Sequence, residues 1–377
     1  MNQKISGLYK GIVSNISESR VKRTELELRV DVDGAHSLNV ISGDFYAKSK
    51  STRKYQSSFI FHGVKKIETP TNRILLIGDK GKFSSNSNQF TDIKISISAK
   101  SNPPKAVFQG TNGSRSKLQC LCKYASQYFR TIYLEHDYEE GVMPLELYET
   151  ANLPSPSPHR SHPISIIDAF AEAGIEIIVV KEKRDSVSSP KGTPISKAVW
   201  TDSELQEAMF KHFTMCKEEP QWKLWLLSAK EYVMSNIYGI MIGCKAKKRR
   251  GCAVFQNSTG WQSAEEKRFR LFTYVHELGH CFNLHHSWDK PQTGLSSETD
   301  QYATLSWMNL PWRYYRSKEC RGGEAFWKAF DFQFSSSELM HLRHGFRNDV
   351  IFGGNTFNRE IDSKSTTKGA TKSATIT

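Results

Sequence analysis

Long apolar runs are missing from this chain: no stretch approaches the roughly 18 uninterrupted apolar residues of a membrane-spanning helix, so no span is expected. Residues 1–20 alternate polar and apolar types without a continuous apolar core. That argues against a cleaved secretory signal and makes the cytosol the expected compartment. Cysteine is sparse and odd in number, seven in 377 residues, so no disulfide framework is read and buried thiols in a reducing compartment are the default. Cys120 and Cys122 make only C-x-C, and Cys244 and Cys252 flank a basic loop, which is a thin basis for a second metal site. Internal repeats, a glycine-rich phosphate loop and a nucleic-acid motif are all lacking.

Acidic residues are in deficit, 39 Asp and Glu against 52 Lys and Arg, for a formal charge of +13. Such a balance suits nucleic acid, an acidic membrane surface or acidic substrates. The charge is spread along the chain, and without a motif to focus it a nucleic-acid partner is not expected. Its densest run, Lys-Ala-Lys-Lys-Arg-Arg at 245–250, falls between two predicted strands, 237–243 and 251–255. It reads first as a solvated hairpin-like turn and second as a loop touching substrate or phosphate. Aromatics are plentiful, with 8 Trp, 14 Tyr and 21 Phe, and a chain of this length has room for two domains.

The most informative stretch is 273–287, Thr-Tyr-Val-His-Glu-Leu-Gly-His-Cys-Phe-Asn-Leu-His-His-Ser. His276 and His280 are four apart, so on a helix they point the same way, with Glu277 beside them where it can polarise a metal-bound water. This is the H-E-x-x-H pattern of a zinc site. Catalytic zinc usually takes three protein ligands and keeps one position open. His286, six residues past His280, has the spacing for the third, with His285 as its near competitor. The helix must stop and reverse between them, and Asn283, tolerant of left-handed backbone, stands where the turn is needed. Leu278, Phe282 and Leu284 interleave as the apolar positions that pack such a helix.

These residues resemble the signature of the metzincin metallopeptidases, H-E-x-x-H-x-x-G-x-x-H followed by a methionine-containing turn. Asn283 stands where that family has Gly, and Ser287 after the third His is similar to the matrixin branch. Downstream, Ser-Trp-Met-Asn-Leu-Pro at 306–311 resembles the Met-turn, with Met308 as a soft, polarizable floor beneath the imidazoles rather than a ligand. Leu310 replaces the family's frequent tyrosine, and Tyr314 or Tyr315 could take its place in the cleft. The thiol-bearing pro-segment motif that keeps secreted matrixins latent is lacking.

Along the chain, residues 24–32, 37–41, 57–62, 73–76 and 92–98 read as short strands, making 1–100 an all-β module of open role. A polar stretch, 101–117, with Pro103 and Pro104 reads as a linker. From 118 the pattern alternates. A helix to 128, a strand 131–136, a Pro-rich loop 153–163, a helix 164–173 ended by Gly174 and a strand 175–180 come first. Thr201 with Glu204 predicts a capped helix 202–213, then strands 222–227, 237–243 and 251–255, the metal helix 265–284 and a helix 335–345. His341 and His344 on that last helix read as surface histidines. The tail after 358, rich in Ser, Thr and Lys, reads as disordered.

The expected fold is therefore α+β. The resemblance implies a metzincin-like zincin catalytic domain over 118–357, a twisted mixed sheet above the active-site helix, behind the all-β module. The resemblance also implies an antiparallel edge strand that pairs with an extended protein or peptide substrate, and by strand order Gly251, Cys252, Ala253, Val254 and Phe255 are expected to form it. The expected function is zinc endopeptidase, with Zn²⁺ on His276, His280 and His286 and Glu277 as general base. Two alternatives stay open: a gluzincin-like set with Glu298 as third ligand, and a zinc-stabilised adaptor without activity. The sequence carries no sign of oligomeric state.

Overall fold

The computed structural model describes residues 4–15, 23–49, 52–70, 73–85, 89–98, 103–113, 115–143, 145, 147–150, 163–180, 186–190, 198–243, 249–256, 263–289, 301–355 and 375–376. The chain divides into two compact units, Met1–Arg130 with Leu339–Arg347, and Thr131–Glu338 with Asn348–Thr377.

The first unit is built on strands β1 (Gly7–Asn15), β2 (Arg23–Asp31), β3 (Val40–Lys48), β4 (Arg53–Phe61), β5 (Lys65–Glu68), β6 (Arg73–Asp79), β7 (Lys82–Phe83), β8 (Asp92–Ser98), β9 (Lys105–Asn112) and β10 (Arg115–Ser126). They form one ten-stranded sheet in the order β5-β6-β8-β9-β10-β1-β2-β3-β4-β7. Period-two sequence makes these strands: in β8, Ile93, Ile95 and Ile97 are buried while Lys94 is exposed. The sheet curls, because Phe59 of β4 and Phe108 of β9, far apart in strand order, have ring centroids only 5.6 Å apart. Phe61, Phe83 and Phe90 complete that aromatic core. The outer face of β2 and β3 carries a buried polar circuit. Arg29 grips Asp44 with two hydrogen bonds of 2.7 and 3.0 Å and donates to Ser42 at 2.9 Å, and Ser58 donates to Asp44 at 2.6 Å.

The second unit contains β11 (Arg130–Glu139), β12 (Tyr148–Glu149), β13 (Pro163–Ile164), α1 (Ile166–Glu172), β14 (Ile175–Val180), β15 (Ser186–Val187), α2 (Asp202–His212), β16 (Lys223–Ala229), β17 (Gly239–Ile242), β18 (Gly251–Phe255), α3 (Ala264–Cys281) and α4 (Gly322–Ala329). Helices α5 (Ser336–His344) and α6 (Arg347–Val350) and strand β19 (Thr375–Ile376) complete the chain. Its main sheet runs β14-β11-β16-β18-β17-β19, with β15 pairing β11. β11, β16 and β18 are mutually parallel, and β17 joins β18 antiparallel. The capping box expected at Thr201 and Glu204 starts α2, and a second, at Ser165 and Asp168, starts α1.

The fold expected from the motif does not hold. A metzincin is built on a twisted, mostly parallel sheet with helices; this chain is mostly β, dominated by its curled ten-stranded antiparallel sheet, and that is another fold. Part of the reason lies in 101–128, read as linker and helix. The segment supplies β9 and β10, and β10 closes the sheet against β1. Leu118, Cys120 and Cys122 are buried while Gln119, Leu121 and Lys123 are exposed, a strand alternation that the exposed apolar Leu121 disguises. The first unit therefore runs to Arg130 instead of ending near 100.

Candidate metal centre

Helix α3 opens on a capping box, Ser263 with Glu266, and is buried along its last three turns. It ends where the chain reverses at Asn283, whose φ is 71°. Asn283 N–H donates to the His280 carbonyl at 2.8 Å, and Leu284 N–H to that of Gly279 at 3.1 Å, the paired bonds of a Schellman cap. Arg249 caps the same end by donating to the Cys281 carbonyl. The reversed chain then carries His286 back under the helix.

The rings of His276, His280 and His286 converge: His280 Nε2 lies 3.0 Å from His276 Nε2 and 3.2 Å from His286 Nε2. All three are buried. His276 Nδ1 donates to the Trp307 carbonyl and His280 Nδ1 to the Leu284 carbonyl, each at 2.7 Å. A carbonyl only accepts, so both rings hold their proton on Nδ1 and turn bare Nε2 lone pairs toward each other. Burial pushes the pKa of both well below the ordinary histidine range; neighbouring imidazoles add to this and the backbone hydrogen bonds oppose it. Facing lone pairs on neutral rings repel unless a cation lies between them. Nitrogens bound tetrahedrally to one ion at about 2.0–2.1 Å stand roughly 3.3 Å apart, close to the observed spacing. The triad can hold a metal ion.

The surroundings fix these rings. His286 Nδ1 meets Asp289 Oδ2 at 3.2 Å, and the His286 ring stacks on Trp288 with centroids 4.4 Å apart. Met308 is fully buried beneath α3, where a β-carbon on Gly279 would collide with its Sδ. The turn around Met308 is pinned: Ser287 N–H donates to the Met308 carbonyl at 3.0 Å, Met308 N–H to Ser306 Oγ at 3.0 Å, and Ser306 to Glu338.

Glu277 packs against β17. A β-carbon on Gly239 would lie 2.6 Å from Glu277 Cγ and 2.8 Å from its Oε1, so only glycine lets the strand close over this carboxyl. Both Glu277 oxygens are buried and have no hydrogen-bond partner. Burial, with Cys281 adding to it, pushes this carboxyl well above the usual carboxylate range. Orphaned buried oxygens of this kind call for a partner such as water or substrate. Tyr238, next in sequence to Gly239, begins an aromatic row, with Tyr238 and Phe269 ring centroids 5.0 Å apart and Phe269 and Trp312 6.0 Å apart. No family model matches the chain, and no curated protein does.

The structure thus brings together His276, His280 and His286, sets Met308 against Gly279 and Glu277 against Gly239, and leaves His285 out of the triad. The expected cleft strand is corrected: Gly251, Cys252, Ala253, Val254 and Phe255 are buried inside the sheet between β16 and β17 and form no edge. Tyr314 is buried against Phe326, and Tyr315 is exposed and bridges to Arg321. His344 is a buried histidine of the first unit, 2.9 Å from Ser42 Oγ and 3.1 Å from Asp31 Oδ2. Arg249 and Arg250, read as part of a solvated turn, are buried and donate to backbone carbonyls. Glu298, Cys244, residues 245–248 and most of the loop 153–163 lie outside the described residues, as does most of the tail, although Thr375–Ile376 form a strand. Sequence reasoning missed Asp289 and Gly239. An acidic residue three past the third His was a visible signal for the first; the second had none. Among the described residues no helix is long and apolar enough to cross a membrane.

Proposed function

We propose that this chain is a zinc endopeptidase whose likeness to the metzincins rests on the residues of its site and not on its fold. The observation that supports it most is the combination of three converging Nε2 atoms with the orphaned carboxylate of Glu277. Zinc is the ion of choice because an all-imidazole, three-ligand set suits it and leaves a position open. Bound there, zinc supplies Lewis acidity, polarising a carbonyl and lowering the pKa of water toward neutrality. Asp289 orients the His286 ring, and the carbonyls of Trp307 and Leu284 orient the other two. Glu277 takes a proton from the attacking water and delivers it to the leaving amine; its raised pKa suits both directions of transfer, and a nearby dication would draw it back toward neutrality. The row of Tyr238, Phe269 and Trp312 offers an apolar contact for substrate side chains.

Incubating purified chain with a peptide library, with and without a chelator, tests this reading. Cleavage that stops on chelation and returns with zinc is expected. Absence of cleavage in the zinc-loaded chain would leave the triad as a structural site.

A further inference from the structure

The edge of β17 beside Glu277 is already paired. β18 occupies one side of the strand; on the other, Gly239 pairs with Ile376 and Ile240 with Thr375 in an antiparallel ladder. Gly239 is also the residue whose missing β-carbon lets β17 close over the Glu277 carboxyl. A chain laid along this edge therefore runs past the orphaned oxygens of Glu277.

We propose that the outer edge of β17 is a binding site for an extended peptide, and that the chain's own Thr375–Ile376 occupies it as an internal competitor. An open strand edge presents a row of unpaired amides and carbonyls, and an added strand gains affinity from backbone bonds that hardly depend on sequence. Thr375 and Ile376 are β-branched, which suits the extended backbone this pairing requires. Tethering holds such a segment at an effective concentration on the order of millimolar, so it outcompetes a free peptide of equal intrinsic affinity present below that concentration. The competitor role rests on the peptidase reading; the pairing itself does not.

The test uses the full chain and a Thr375→Pro/Ile376→Pro double variant, in which both pairing residues lose their backbone N–H. The probe is a fluorescent peptide of residues 368–377, followed by anisotropy, with a control peptide carrying proline at 375 and 376. The double variant is expected to bind the probe at least about tenfold more tightly than the unmodified chain, to ignore the control, and to exchange its β17 amides faster. Equal probe binding in the two chains, with unchanged exchange at β17, overturns the inference. Neither readout involves turnover. If both move and no metal-dependent cleavage exists, the peptidase reading falls and the edge site stands; if cleavage exists and neither moves, the edge site falls alone.

Discussion

Each unit buries a cluster of ionisable side chains, and the two clusters end their hydrogen bonds differently. In the first, every charge meets an opposite or a donor: Arg29 with Asp44, Asp31 with Arg343 and His344, Ser42 between Arg29 and His344. Burial opposes ionisation of Asp44 and Asp31, yet Arg29 holds the first carboxyl, and His344 with Arg343 the second, below the ordinary range. In the second, three imidazole nitrogens converge and two carboxylate oxygens face no donor. A closed circuit contributes to folding and has nothing left to bind. A cluster rich in acceptors is incomplete without a cation and a proton source, and the proposed function rests on that incompleteness.

The comparison breaks most visibly at Asp44. Asp44→Asn leaves the buried Arg29 guanidinium without its counter-charge and should lower unfolding free energy by about 3–5 kcal/mol in a denaturant melt, with zinc affinity unchanged. A fall in zinc affinity instead would show that the two clusters are not independent.

Next comes pH. Burial pushes the His344 pKa from 6.5 to about 4, although Asp31 pulls it up and Arg29 and Arg343 pull it down. Between those values the unfolded chain binds a proton that the folded chain refuses, so stability must fall as pH falls. The loss should approach roughly 3 kcal/mol across that window, measured as urea midpoints. In His344→Gln this share of the slope should vanish. An unchanged slope would show that His344 does not titrate as its burial requires.

The smallest expected effect sharpens the second cluster. Asp289→Asn keeps the shape but weakens the orientation of His286, and because Asp289 is partly exposed the loss in zinc affinity should be about tenfold, read by chelator competition. No loss would place Asp289 outside the ligand set's support.

The site was legible in sequence because its geometry is local. His276, Glu277 and His280 share one helix, and Asn283 turns the chain within the few residues that return His286. What depended on distant partners was not legible. His344 looks like a surface histidine until Asp31 and Ser42, some 300 positions away, are placed around it. β10 looks helical until β1 pairs with it. Arg249 and Arg250 belong to a run that reads as solvated, and only folding shows carbonyls gathered to receive them. Strand order along the chain likewise did not place β18 between β16 and β17, since neighbours in a sheet are decided by pairing and not by pattern.

The most direct measurement pairs zinc content with peptide cleavage in the unmodified chain and in Glu277→Gln. One zinc per chain in both, with cleavage reduced about a thousandfold in the variant, is the expected result. A variant that cleaves at the full rate, or an unmodified chain that takes up no zinc, would contradict it.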